Sequence, residues 1–156
     1  MSTQPAPPPV LTELKLSNTL QETVNTALDR GRMLSVAYVS LDGRPEISFR
    51  GSLQTYSDTQ LAIWVRNPEG GIVQAVRAGH VHIAILYGEL TAQNKAFINF
   101  RGRGHIDSTP EVRRRVYEGS PALERDLDKQ QKGVPLIIDL DSVDGFFGGA
   151  ILQMRR

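Results

Sequence analysis

The chain of 156 residues has no cysteine, which removes a thiol nucleophile, a disulfide framework and a thiolate metal centre at once. It has no excess of charge: 18 Lys and Arg face 17 Asp and Glu, so its bulk demands neither nucleic acid nor an anionic membrane, and any basic surface must be local. No run approaches the roughly 18 apolar residues of a spanning helix. The opening "MSTQPAPPPV" has no basic segment followed by an apolar core. A Walker sequence, a nucleophile elbow and a Ser-His-Asp set are missing as well. The expectation is a soluble, cytoplasmic protein with no nucleic-acid or membrane partner.

What is present reads as one domain, since a chain of this length buries roughly two-thirds of its unfolded surface. Residues 1–10 are proline-rich and are expected to form a disordered or polyproline tail, leaving 11–156 as the domain. In "SNTLQETVNTALDRGR", Leu20, Val24, Ala27 and Leu28 share a helical face, Asn18 or Thr19 can cap the start, and Gly31 suits the end. "MLSVAYVS" and "PEISFRGSLQTY" flank Asp42-Gly43, a hairpin signal, and "QLAIWV" is a third strand. "HVHIAILYG" and the long "KAFINFRGRGHI" follow, with Gly102 and Gly104 permitting a bend or bulge. Ser108 and Glu111 stand in capping-box spacing around Pro110, so a helix starts there, and "PALERDLDKQQ" is a second short one. "VPLIIDLDSV" and "DGFFGGAILQM" read as the last strands. About seven strands joined mostly as hairpins imply an antiparallel barrel or sheet with appended helices, mainly β.

Several residues could carry chemistry. On the second strand Ile47, Phe49, Gly51 and Leu53 alternate with Ser48, Arg50, Ser52 and Gln54, so one face is apolar and the other hydrogen-bonding. The polar face is either solvated or a platform for a polar planar group. Trp64 and Arg66 share a face of the next strand, where the indole either packs in the core or stacks on a ligand. In "AIWVRNPEGGIVQAVRAGHVHIAI", Arg66 precedes a Gly70-Gly71 corner that opens a helix; amides, dipole and cation together suit a phosphate, although the glycines could simply turn the chain. His80, His82 and His105 lack acidic neighbours at ligand spacing, so no metal is expected. The "RGRG" and "RRR" clusters come without an aromatic ladder and read as solvated or anion-contacting.

The order of elements from about Leu20 to Gly149 resembles the pyridoxamine 5′-phosphate oxidase-like FMN-binding split-barrel family. The likeness rests on "MLSVAYVSLDGRPEISFRGSLQTY", "LAIWVRNPEGGIVQAVRAGHVHIAILYG" and "GRGHIDSTPEVRRRV". It implies a homodimer of six-stranded split barrels with FMN at each subunit interface. Carried over by position, Phe49, Arg50, Gly51, Ser52, Leu53 and Gln54 would run beside the ring and ribityl chain. Trp64 and Val65 would follow, Gly70, Gly71 and Gln74 would stand at the phosphate end, and Phe97 would reach in from the partner. Gly70-Gly71 replace an Arg-Lys pair of the oxidase itself, and Gln54 replaces a Lys. Arg50 and Arg66 are the compensating cations, with Arg77 a further helical turn beyond Gln74. The pyridoxal phosphate contacts are not matched around Arg115, nor is a C-terminal Arg-His pair found in "GGAILQMRR", so vitamin B6 oxidation is not expected.

The resulting expectation is an FMN-dependent oxidoreductase exchanging hydride or electrons with a small-molecule donor or acceptor, the cofactor supplying the chemistry. Arg50 and Ser52 would position the ring, Trp64 would pack on the ribityl chain or ring edge, and Arg66 with the Gly70-Gly71 amides would take the phosphate. The alternatives are a module binding F420, haem or another anionic planar ligand without turnover, and an interaction protein that holds no ligand.

Overall fold

The computed structural model describes residues 11–156; the expected tail, residues 1–10, lies outside them. The fold is mainly β, as expected, but with nine strands among the described residues instead of about seven. β1 (Thr12–Glu13) is two residues long and pairs in parallel with the last strand, the one departure from an otherwise antiparallel sheet. Two residues carry no readable alternation, so only pairing reveals them.

α1 (Asn18–Asn25) is capped one residue earlier than expected, by Ser17, whose hydroxyl accepts from the Leu20 amide at 3.2 Å. Leu20 and Val24 face the core, and the chain leaves through Gly31 at φ +71°. β2 (Leu34–Val39) and β3 (Pro45–Arg50) form the expected hairpin, with Gly43 at φ +82°.

The strand expected over "PEISFRGSLQTY" is broken at Gly51–Leu53, and β4 (Gln54–Ser57) turns away to pair with β5 (Gln60–Val65). Ser52 explains the break. Its hydroxyl donates to the Trp64 carbonyl at 2.9 Å and accepts from the Trp64 amide at 3.1 Å, standing in for a ladder rung between the two segments.

α2 (Gly71–Arg77) buries Ile72, Val73, Ala75 and Val76, and β6 (His82–Leu90) and β7 (Lys95–Ile106) follow as a long antiparallel pair. α3 (Pro110–Gly119) begins where expected, but not through a Ser108–Glu111 box. Thr109 is the cap residue, and the Asp107 carboxylate takes both its amide (3.1 Å) and its hydroxyl (2.8 Å). α4 (Ala122–Asp126) is a short helix with no buried residue. The two last expected strands divide differently: β8 (Val134–Phe147) runs through "DGFF", and β9 (Ala150–Arg155) starts after Gly148 and Gly149.

β8 belongs to two neighbourhoods. Its first half lies between β5 and β7, its second between β7 and β9, and the register against β7 shifts at Arg101/Gly102, the bulge that the two strand glycines suggested. The strands therefore run β4-β5-β8-β7-β6-β2-β3 around a core of Ile85, Ile98, Phe100, Leu136, Ile138 and Val143, with α1 and α2 packed on it. No ladder joins β3 to β4 among the described residues, so the barrel is split at Gly51–Leu53. No helix among the described residues is long and apolar enough to cross a membrane.

Candidate functional site

The split in the barrel creates a cleft of about 330 Å³. Six of the residues singled out in the sequence meet there: Phe49, Arg50, Gly51, Ser52, Trp64 and Arg66. Met33, Asn67 and Glu124 complete its walls. β3 delivers Arg50 at its last position, β5 delivers Trp64, and Arg66 follows directly after β5.

Arg50 is the unusual member. Its Nε is buried and has no hydrogen-bond partner among the described residues, where nearly all buried donors are paired. Burial pulls the guanidinium below its ordinary value; Tyr38 and Glu124 act against this, and the positive charge of Arg66 adds to it. Arg66 is half exposed and pairs with Glu124 at 3.8 Å, longer than a hydrogen bond. Glu124 comes from α4 and lies against Gly51, where a Cβ would collide with its carboxylate oxygen. The cleft thus brings together two cations, one carboxylate and one unsatisfied donor.

Trp64 lines the cleft but is only 3% exposed and is held from behind. Its indole N–H donates to Asp128 at 2.9 Å, its ring meets Tyr117 edge-on at 5.2 Å, and the Arg113 guanidinium lies 5.1 Å from its centroid. The Asp128 carboxylate also accepts from the amides of Lys132 (3.0 Å) and Gly133 (2.9 Å). Burial raises its pKa, but these three donors outweigh that and hold it below the usual aspartate range.

Other expected site residues lie elsewhere. Leu53 and Val65 are in the core. Gln54 is buried with its amide donating to the Val116 carbonyl at 3.0 Å and to Ser120 Oγ at 3.3 Å, so it ties β4 to α3. Gly70 and Gly71 start α2 as expected, outside the cleft walls; a Cβ on Gly71 would stand 2.6 Å from the Tyr38 hydroxyl. Gln74 donates to the Glu69 carbonyl at 2.7 Å. Phe97 lies on the outer face of β7, 52% exposed and stacked on Phe146 at 6.3 Å. The histidines are separate: His80 Nδ1 contacts the Ser40 carbonyl at 2.8 Å and His105 contacts Asp139 at 3.2 Å.

The outer face of the sheet carries an unexpected apolar surface. Ile47 and Phe49 are 70% and 65% exposed, and the register places Phe49 in one row with Ser35 and Leu86. Leu86, Phe97 and Ile151 are exposed on the same face.

No protein-family model matches the chain, and no curated protein matches it significantly. Solved structures do. HupZ of Group A Streptococcus superposes over 87% of this chain and 98% of its own, at a TM-score of 0.65 and 13% identity. General Stress Protein 26 from Bacillus anthracis matches over 86% and 98%, at 0.59 and 14%. A Clostridium acetobutylicum protein of the pyridoxinephosphate oxidase family, related to general stress protein 26, matches over 89% and 96%, at 0.60 and 8%. The fold is the pyridoxamine 5′-phosphate oxidase-like split barrel. Identities this low speak to architecture alone, so the role of the split-barrel cleft rests on its own residues.

Three cleft residues had no signal in the split-barrel sequence. Met33 precedes β2, Asn67 follows Arg66, and Glu124 arrives from more than 70 positions beyond Gly51. "PALERDLDKQQ" reads as an ordinary polar helix, and only the tertiary fold turns one of its carboxylates toward two arginines.

Proposed function

We propose that this split barrel is an FMN-binding oxidoreductase that works as a homodimer. The observation that carries the reading is Arg50 Nε, a buried donor without a partner in the wall of a cleft shared with Arg66. A phosphate oxygen is the kind of acceptor such a donor lacks, and two guanidinium groups suit its charge. The residues present therefore fit the phosphate end of FMN.

Ligand pockets commonly span roughly 300 to 1,000 Å³, and a cleft of about 330 Å³ is at the small end, enough for part of a flavin nucleotide. A second copy of the chain would supply the rest. Ile47, Phe49, Leu86 and Phe97 form an apolar surface next to the cleft, and Phe49 belongs to both. Its burial between two copies would enclose the flavin ring, with Phe97 of the partner subunit as a contact.

FMN would supply hydride and electron transfer with a small-molecule donor or acceptor. In this reading Arg50 and Arg66 bind and orient the phosphate. Phe49 and the edge of Trp64 exclude water from the ribityl side, and Ser52, whose hydroxyl is committed to the Trp64 backbone, fixes the spacing of β4 and β5. Gly51 allows close approach of the backbone.

A second reading, ligand binding without turnover, is favoured by the shortage of acid–base groups: among the described residues Glu124 is the one carboxylate in the cleft walls. F420 would suit the same cations. Haem is less well served, since no histidine among the described residues lines the cleft to ligate iron.

The test is FMN affinity of the wild type, Arg50→Ala, Arg66→Ala and the double variant, read by flavin absorbance and quenching of Trp64. Each single change is expected to weaken binding by about tenfold or more, roughly 1.4 kcal/mol. Failure of both to do so removes the phosphate assignment. FMN bound but not reduced by any nicotinamide donor would favour the binding module.

A further inference from the structure

We propose that Glu124 holds the anion position of the cleft itself, and that a ligand's phosphate must displace it, so that α4 sets the affinity and restricts the site to phosphate-bearing ligands. The proposal rests on reading the cleft as a phosphate site. It does not depend on which phosphorylated ligand enters.

Three observations carry it. The Glu124 carboxylate lies between Gly51 and Arg66 and is far less exposed than its partner, 15% against 51%. Its contact with Arg66 is a long ion pair of 3.8 Å, and it leaves Arg50 Nε without an acceptor. A carboxylate here offsets the charge of the arginines without completing their hydrogen bonds. A phosphate, with more charge and more acceptor oxygens, can complete them.

The third observation is that the support is not held by apolar burial. α4 has five residues, none buried, and Leu123 on it and Leu127 just after it are exposed. Swinging Glu124 out of the cleft therefore uncovers almost no apolar surface. A neutral ligand such as riboflavin brings nothing to replace the carboxylate between the cations. A phosphate ester does, and this is the basis of selectivity.

The experiment compares wild type with Glu124→Gln, and with Glu124→Ala as a second variant, for binding of FMN, riboflavin and inorganic phosphate. Thermal melts followed by Trp64 emission establish that each variant is folded. Glu124→Gln is expected to bind FMN about tenfold more tightly or better, with riboflavin changed by less than about twofold. Unchanged or weakened FMN binding in both variants overturns the proposal while leaving the flavin reading standing. An equal gain for riboflavin also overturns it, since the effect would then be cleft opening.

If neither wild type nor variants bind FMN, the flavin reading falls. Inorganic phosphate then decides the proposal, through the NMR shift of the Arg66 Nε–H signal on titration. Saturation at lower phosphate in Glu124→Gln than in wild type supports it, and identical or absent shifts overturn it.

Discussion

Replacing Asp128 by Ala tests how the back of the cleft is held. The Asp128 carboxylate accepts from the Trp64 indole at 2.9 Å and from two loop amides at 3.0 and 2.9 Å. The Lys132 amide, on an exposed residue, regains water, whereas Gly133 is buried and its amide loses its acceptor. The indole sits on a tryptophan that is 3% exposed and is left without an acceptor. Each unpaired buried donor costs about 1 to 3 kcal/mol, so a loss of about 2 kcal/mol or more is expected, lowering Tm by at least about 4 to 8 °C for a chain of this size. Trp64 is the single tryptophan, so its emission reports both the melt and a urea titration from the right place. Emission of the folded variant should also change as the N–H loses its charged partner.

The same carboxylate gives a pH test whose sign is fixed. Its folded pKa lies below the ordinary aspartate value of 3.8, so its stabilisation is complete above that value and drains away as pH falls through the folded pKa. Asp128→Asn should therefore be less stable than wild type near neutrality, with the gap closing below about pH 4. A loss under about 0.5 kcal/mol for Asp128→Ala, the usual range for surface changes, or a gap independent of pH, would refute the reasoning.

Gln54→Ala should cost about 1 to 2 kcal/mol by removing the buried amide that ties β4 to α3, the Ser120 hydroxyl keeping its own bond to the Val116 carbonyl at 2.8 Å, with FMN affinity within about twofold of wild type in equilibrium titration. A large loss of affinity would return Gln54 to the cofactor site. Ile47→Asp with Phe49→Asp should convert a dimer to a monomer in light scattering, because charges on an apolar edge strand oppose its burial. A monomeric wild type, or a double variant that stays dimeric, removes the homodimer from the proposed function.

Much of the fold was legible because local patterns were strong. Asp42-Gly43 marked its hairpin, β7 stood out as one alternating run, and the glycines at 102 and 104 announced the bulge. What escaped was set by distant contacts. The strand through Phe49 and Gln54 alternates without interruption, yet it breaks where Ser52 clasps Trp64 and where Glu124 lies against Gly51. Ser108 and Glu111 had the right spacing for a cap, but the helix starts one residue later, at Thr109, whose amide and hydroxyl are taken by Asp107. The apolar face of β3 would ordinarily be assigned inward; the strand lies at a sheet edge, with Ile47 and Phe49 outside.

At the candidate site the cations were legible and their counter-charge was not. Arg50 and Arg66 follow from strand alternation and a glycine corner, both short-range signals. Glu124 is brought in by the α3–α4 connection, which has no periodic relation to either arginine. The phosphate expected at Gly70-Gly71 is now proposed nearer Arg50, because those glycines belong to the start of α2 and the cleft walls do not include them.

The division of β8 between two sets of neighbours has a consequence for biosynthesis. Gln60 on β5 meets Asp139, 79 positions later, and β5 has no partner on that side until β8 exists. At translation rates of roughly 5 to 20 residues per second, that interval is about 4 to 16 s, during which Leu61, Ile63 and Val65 lack their final cover. Until β8 emerges the β4–β5 hairpin keeps one open edge, and that edge is where the growing chain is most exposed to mispairing.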